Sequence, residues 1–318
     1  MAQGVTVVVV NWNGASHLPQ CLGSLVAQTY DPLEIVVVDN ASTDDSRGIG
    51  RGFDVDWIQL DTNTGLAPAM NVGATHAKQP LLLFLNNDMQ FPPEFVAELV
   101  ACYERHPEAG AIDALQREWS TGEIVHAATR LERAPGQHDL PGWRFALTNV
   151  ADDSPTVYSS GANTLVSRDV FDEHGGWDDR FFAGWEDVDL GWRLWLSDRG
   201  PMLASQAVAD HDVSTSSRTP EGLALRSEAA MHGRLLFSVK HAPIAVIVRG
   251  AARFVVAWLV AFARRDRPGL RARARVVGRL RREAPDAWRW RRRTYKAHGT
   301  TPRRHWERMS RVPSRGAE

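Results

Sequence analysis

Apolar residues come in unbroken blocks along the first hundred positions. Val5-Thr6-Val7-Val8-Val9-Val10 is a β-branched run, the pattern of a strand covered on both faces. Asn11-Trp12-Asn13-Gly14 ends it, and Leu18, Cys21, Leu22, Leu25 and Val26 follow at helical spacing. A second run, Ile35-Val36-Val37-Val38, stops at Asp39-Asn40. A short strand is expected around Trp57-Ile58-Gln59-Leu60, then a turn and helix over 63–77. Leu81 to Leu85 predicts a fourth strand, closing on Asn86-Asn87-Asp88. Pro92-Pro93 opens a helix reaching about His106, since proline is tolerated in a first turn. The stretch 115–155, with Pro135, Gly136, Pro141 and Gly142, gives no secure elements. Order returns with a turn into a strand over Ser159 to Val166 and a helix over Glu186 to Arg199.

Buried strands alternating with helices predict an α/β fold with a mostly parallel sheet. Ligands of such sheets bind beyond the carboxyl ends of the strands. Three strand ends carry polar groups there: Asn11 with Asn13, Asp39 with Asn40, and Asn86 to Asp88. Asn and Asp also favour turns, but three such ends on one rim point to a binding site.

Composition narrows the class. At 43% hydrophobic and 24% charged residues, the 318-residue chain is neither disordered nor collagen-like. Cys21 and Cys102 make no disulfide framework and no CxxC pair, which suits a reducing compartment. Residues 1–20 lack the basic start and apolar core of a signal peptide. The net charge of −1 hides an asymmetry: positions 264–318 hold 19 basic and 5 acidic residues, positions 1–263 hold 18 and 33. An acidic body with a basic tail is a two-part molecule.

A phosphate-binding Walker loop is absent, and no GxGxxG follows the first strand. The acidic strand end Asn86-Asn87-Asp88 would repel phosphate unless a divalent cation lay between them. Mg²⁺ and Mn²⁺ take oxygen ligands from one or two carboxylates and from the substrate's phosphates. Asp88 is therefore a candidate ligand for a metal-bound nucleoside diphosphate.

Five blocks, in order, resemble family 2 glycosyltransferases of the GT-A fold. They are Val7 to Gly14, Val36 to Asp44, Asn63 to Gly73, Leu83 to Asp88, and Gly175 to Phe182 running into Trp185 to Leu190. They cover about 5–215 and are most similar to the bacterial rhamnosyltransferase-like branch. The resemblance implies an inverting transfer from a nucleotide-sugar, with Mn²⁺ or Mg²⁺ as cofactor. By matching, Asp39 holds the nucleobase, Gly65 and Asn71 lie in the block lining the nucleotide pocket, and Asp88 ends the metal-binding DxD. Asn11, Asn13, Asn40 and Asn87 join the donor site as its neighbours at the strand ends. Asn86 departs from the family's first carboxylate, which lowers the expected metal affinity.

Inverting transfer is one displacement, so the base must stand across the sugar from the leaving diphosphate. Glu186-Asp187 at a helix start fits, because the N-terminus favours the ionised form. Asp187 matches the family's base, with Glu186 and Asp189 as alternatives and Asp189 as an acceptor contact. The same acidic group also suits plain helix capping. His211 matches a histidine that completes the metal site in some members. Trp177 and Trp185 are candidates to stack on the acceptor sugar, Ser214 to Arg218 a candidate loop over the donor, and Trp185 and Trp192 equally suit the core.

Pro243 to Ala263 is apolar and long, but Arg249 and Arg253 interrupt it on one face. It reads as an interfacial helix rather than a span, with a buried helix or subunit interface as the alternative. The Arg-rich stretch behind it, interleaved with Trp288 and Trp290, is a signature for anionic lipid; no nucleic-acid motif accompanies it. The alternative is a solvated, disordered tail. The expected organisation is a catalytic domain over 1–240 (donor half about 1–115, acceptor half about 155–240) and a basic helical extension over 241–318. The expected donor is dTDP-rhamnose, with UDP-galactofuranose or another UDP-hexose as alternatives. The expected acceptor is a glycan or lipid-linked glycan of the cell envelope, reached from the cytoplasmic membrane face; a homodimer stays open. The rival class is a non-catalytic nucleotide-binding scaffold, which Asn86 favours and the intact Asp39, Asp88, Glu186 and Asp187 oppose.

Overall fold

The computed structural model describes residues 3–134, 139–148, 151–212 and 220–312. The candidate loop Ser214 to Arg218 lies outside them. The first half runs β1 (Val5–Asn11), α1 (Leu18–Val26), β2 (Leu33–Asp39), α2 (Ser46–Gly50), β3 (Asp56–Gln59), α3 (Leu66–His76), β4 (Leu81–Asn86), β5 (Met89–Gln90) and α4 (Phe95–Arg105). The stretch that the sequence left unplaced holds β6 (Ile112–Glu118), β7 (Ile124–His126), β8 (Ala128–Arg133), β9 (Trp143–Thr148) and β10 (Ser154–Pro155). Then follow β11 (Asn163–Ser167), α5 (Arg168–Glu173), α6 (Glu186–Leu196) and β12 (Met202–His211). Four helices close the described chain: α7 (Pro220–His241), α8 (Ile244–Ala263), α9 (Arg267–Ala297) and α10 (Pro302–Met309).

The main sheet has the order β10-β12-β6-β11-β4-β1-β2-β3. β3, β2, β1 and β4 are parallel; β11 runs against β4 and β6; β6 and β12 are parallel. The carboxyl ends of β1, β2, β4, β6 and β12 therefore share one rim. The unbroken valine run of β1 is explained by its two faces. Val5, Val7 and Val9 pack under α1 and α4 with Leu22, Leu25 and Leu99. Val8 and Val10 join Met70, Trp192 and Phe237 on the other side. Burial of each such side chain is worth about 1.5–3 kcal/mol. α3 lies so close to β1 that a Cβ on Gly73 would stand 2.2 Å from Val8 Cγ1.

The C-terminal helices add to this core. Ala287, Trp306, Met309 and Val312 belong to the same buried cluster as Trp192 and Phe237. Up to Val312 the basic tail is thus ordered helix, contrary to the solvated alternative. Its apolar residues, not its arginines, decide that.

Candidate active site

A cavity of about 590 Å³ opens at the shared rim, over the ends of β1, β2, β4 and β12. Asn40, Gly65, Asn87, Asp88 and His211 line it together with Trp185 and Asp187. β5 pairs with the end of β12, His211 opposite Met89, and this register brings Asp88 beside His211. Their Oδ1 and Nε2 atoms are 3.2 Å apart. Nδ1 of His211 lies 2.8 Å from Gln116 Oε1, which fixes the ring's orientation. Neighbouring ligands of an octahedral cation with bonds of about 2.1 Å stand about 3 Å apart, so these two residues fit one small divalent ion.

The donor wall is held by amides. Asn11 Nδ2 donates to Asp39 Oδ1 at 2.7 Å, and Asn87 Nδ2 donates to Asn11 Oδ1 at 2.6 Å. Asn13 takes the left-handed conformation and accepts the Thr43 N–H at 2.8 Å through Oδ1. Asn40 accepts the Thr64 N–H at 2.9 Å and donates to the Gly65 carbonyl at 3.0 Å. Gly65 has φ +97°, and a Cβ there would meet the Phe182 carbonyl at 2.5 Å. The Leu66 N–H donates to that same carbonyl. The start of α3 is thereby clamped to the segment leading into α6.

On that segment Gly184 and Trp185 both have positive φ, at +78° and +79°, a turn that launches α6. Asp187 Oδ1 accepts the Val188 N–H at 2.8 Å, and Oδ2 faces the Gly161 N–H at 3.5 Å. Behind it, the buried Asp113 accepts His126 Nε2 at 2.7 Å and the Ser160 N–H at 3.2 Å. Burial pushes His126 down, but Asp113 and, more weakly, Asp187 outweigh it and raise its pKa. Burial raises Asp187 above the ordinary carboxylate range, against the Val188 and Gly161 amides and His126. Glu186 is 2% exposed, and burial with the neighbouring Asp187 charge pushes it up to about 8. The expectation that the helix start keeps these acids readily ionised is corrected: burial outweighs the dipole.

The family model described as Glycosyl transferase family 2 matches residues 6–175. The chain is also 30% identical over 249 residues to the N-acetylglucosaminyl-diphospho-decaprenol L-rhamnosyltransferase of Mycobacterium tuberculosis, covering 69% of this chain and 80% of that protein. The chain belongs to glycosyltransferase family 2. Validoxylamine A glucosyltransferase of Streptomyces hygroscopicus subsp. jinggangensis is 30% identical over 223 residues, covering 60% of this chain and 51% of that one. The fold is that of the mannosyltransferase PcManGT from Pyrobaculum calidifontis, solved with GDP-Man and Mn²⁺ (TM-score 0.56, 18% identity, 96% of this chain and 83% of that chain). The GT-A architecture is thus established, and this glycosyltransferase resembles a rhamnosyltransferase in sequence.

Several expected contacts of the glycosyltransferase are not on the cavity wall. Asp189 is fully buried; its carboxylate pairs with Lys240, with His241 at 2.9 Å and with Arg193 at 2.8 Å. Burial raises Asp189, but Lys240 and Arg193 outweigh it and hold it well below the usual range. It ties α6 to α7 and is not an acceptor contact. Trp177 is 1% exposed, edge-on to Phe84 at 5.2 Å, and is likewise core. Asn71 staples α3 to the Trp177 carbonyl at 2.8 Å and to Asp179 at 2.6 Å, off the cavity wall. Asn11 and Asp39 are buried and hydrogen-bonded to each other, with Asp39 also accepting from Ser42 and Gln59, and Glu186 is buried beside Asp187. The sequence missed Gln116, Asp113 and His126. It also missed Tyr158, Phe145 and Arg226, which line the cavity.

Proposed function

We propose that this glycosyltransferase moves a sugar, with dTDP-rhamnose as the leading donor, onto a lipid-linked glycan of the cell envelope with inversion at the anomeric carbon. The observation that carries the reading is that Asp88, His211 and Asp187 all line one cavity at the strand-end rim. Asp88 and His211 would hold Mn²⁺ or Mg²⁺, and such an ion supplies charge neutralisation for a departing diphosphate. Asp187 takes the proton of the attacking hydroxyl. The bond from that oxygen to the anomeric carbon forms as the bond to the donor phosphate breaks, and the electron pair leaves with the nucleoside diphosphate. The raised pKa of Asp187 makes it a stronger base. Asn40, Gly65 and Asn87 position the donor, and Trp185, backed by Phe145 and Phe237, forms the floor for the acceptor sugar. The rhamnosyltransferase relative favours dTDP-rhamnose and a diphospholipid acceptor, and the glucosyltransferase relative keeps UDP-hexoses as the second choice. A panel of dTDP-rhamnose, UDP-galactofuranose and UDP-glucose, assayed for hydrolysis with Mn²⁺, Mg²⁺ or EDTA, tests it. Turnover of dTDP-rhamnose that stops with EDTA is expected; no turnover of any nucleotide-sugar overturns the reading in favour of a scaffold.

The same reading places the enzyme at the cytoplasmic face of the membrane. α8 is long and apolar enough to cross a membrane, and its Ile244, Val248, Val255, Leu259 and Phe262 form one exposed stripe. Arg249 and Arg253 favour a helix lying in the interface. Flotation with phosphatidylglycerol vesicles is expected to carry the protein up, and Leu259→Asp with Phe262→Asp to abolish this. Equal flotation of the variant would remove α8 from that role.

A further inference from the structure

A second groove, of about 640 Å³, runs between α7, α8 and the start of α9. Arg234, Arg253, Arg264 and Arg273 line it against a single carboxylate, Asp266. That carboxylate already caps α9 by accepting the Gly269 N–H at 3.0 Å. Between the arginines the wall is apolar, with Phe254, Val256, Ala257 and Val260. Four guanidiniums over an aliphatic wall are wrong for a neutral lipid, which repays none of their desolvation. They are equally wrong for a small hydrated anion, which gains nothing from valine and phenylalanine. They suit an amphiphile whose head is a phosphate, the group that the guanidinium fork recognises through two parallel hydrogen bonds.

Position adds to the chemistry. Asp139, Ala229 and Ala230 line the active cavity, while Pro141, Met231 and Arg234 line the groove. The two spaces thus meet across consecutive residues of α7 and of the segment before β9. Arg234 lies eight residues beyond Arg226 on α7, about 12 Å along the helix axis. That is the reach of a sugar joined to a diphosphate.

We propose that this groove binds the phosphate or diphosphate headgroup of the lipid-linked acceptor, with the first lipid carbons against the apolar wall of α8. The proposal rests on the lipid-linked acceptor of the preceding section and names the part of the protein that takes it. Two further details agree. Burial and the like charge of Arg253 hold Arg234 below the ordinary arginine range, against Asp139, so an anion between the two arginines relieves a repulsion. Nε of Arg273 is buried without a hydrogen-bond partner among the described residues.

The test uses the full chain with the active cavity saturated by nucleoside diphosphate and Mn²⁺, titrated calorimetrically with farnesyl diphosphate, inorganic diphosphate and farnesol. Farnesyl diphosphate is expected to bind at least tenfold more tightly than either fragment. Arg253→Gln with Arg264→Gln, both exposed, is expected to weaken it tenfold or more. Val260→Glu is expected to erase the preference over inorganic diphosphate. Equal affinity for inorganic diphosphate, unchanged affinity in the double arginine variant, or tighter binding of an RNA oligonucleotide would overturn the proposal. Donor hydrolysis separates the two readings. Hydrolysis without farnesyl diphosphate binding sinks the groove alone; binding without any turnover supports the groove and sinks the transferase reading.

Discussion

The strand-end wall of the cavity and the α6 wall are both polar, yet they are built differently. The first is a lattice of neutral amides around a carboxylate and an imidazole that face each other at 3.2 Å. The second sets Asp187 on a helix start, with Glu186 beside it and the Asp113–His126 pair below, where burial has raised both acids. Under the proposed function the first wall would receive a cation and the second a proton. Polar residues at a rim are therefore not a sufficient description of a site; which atoms remain after the internal hydrogen bonds are counted decides the chemistry.

The contrast can be broken by substitution. Asp187→Asn is expected to lower transfer by about 10²–10⁴-fold with nucleotide-sugar affinity unchanged, measured by initial rates and calorimetry. Retained turnover would remove Asp187 as the base. Asp189→Ala, two residues on, should instead destabilise the fold by about 3–5 kcal/mol, because Lys240 and Arg193 lose their buried partner. Chemical denaturation reads this directly, and an unchanged midpoint would contradict the structural role. Gln116→Leu frees the His211 ring and should weaken Mn²⁺ activation by about 10–100-fold, seen in the metal dependence of donor hydrolysis.

A test that depends on pH concerns Glu186. Its pKa is about 8 folded against an ordinary 4.5, so between those values only the unfolded chain releases the proton. Stability from this group is complete below pH 4.5 and is lost as pH rises to 8. Glu186→Gln should flatten that part of the Tm–pH curve and raise Tm relative to the parent at pH 8. Parallel curves would mean that Glu186 is ionised in the native state.

The chain displayed the strand ends openly, because β1, β2 and β4 are covered on both faces and their polar terminators stand out. It also displayed the acidic start of α6. It did not separate Asp187 from Asp189, since two helix positions differ by about 200° around the axis and only the packing of α7 shows which side is inward. Trp177 lies in the segment between α5 and α6, where no periodicity shows which way a side chain faces. Gln116, Asp113 and His126 were illegible because they act through partners on other strands, in a stretch without clear periodicity. The arginines of α9 drew attention to charge, whereas Ala287 and Tyr295 on the same helix carry it into the interior.

Strand β6 touches both groups. Gln116 steadies the imidazole beside Asp88, and three residues earlier Asp113 anchors the histidine and the turn beneath Asp187. Under the proposed function one extended backbone thus links the two working groups, and their separation follows the repeat of a single strand, so acceptors of different shape would be accommodated by the helices around the entrance.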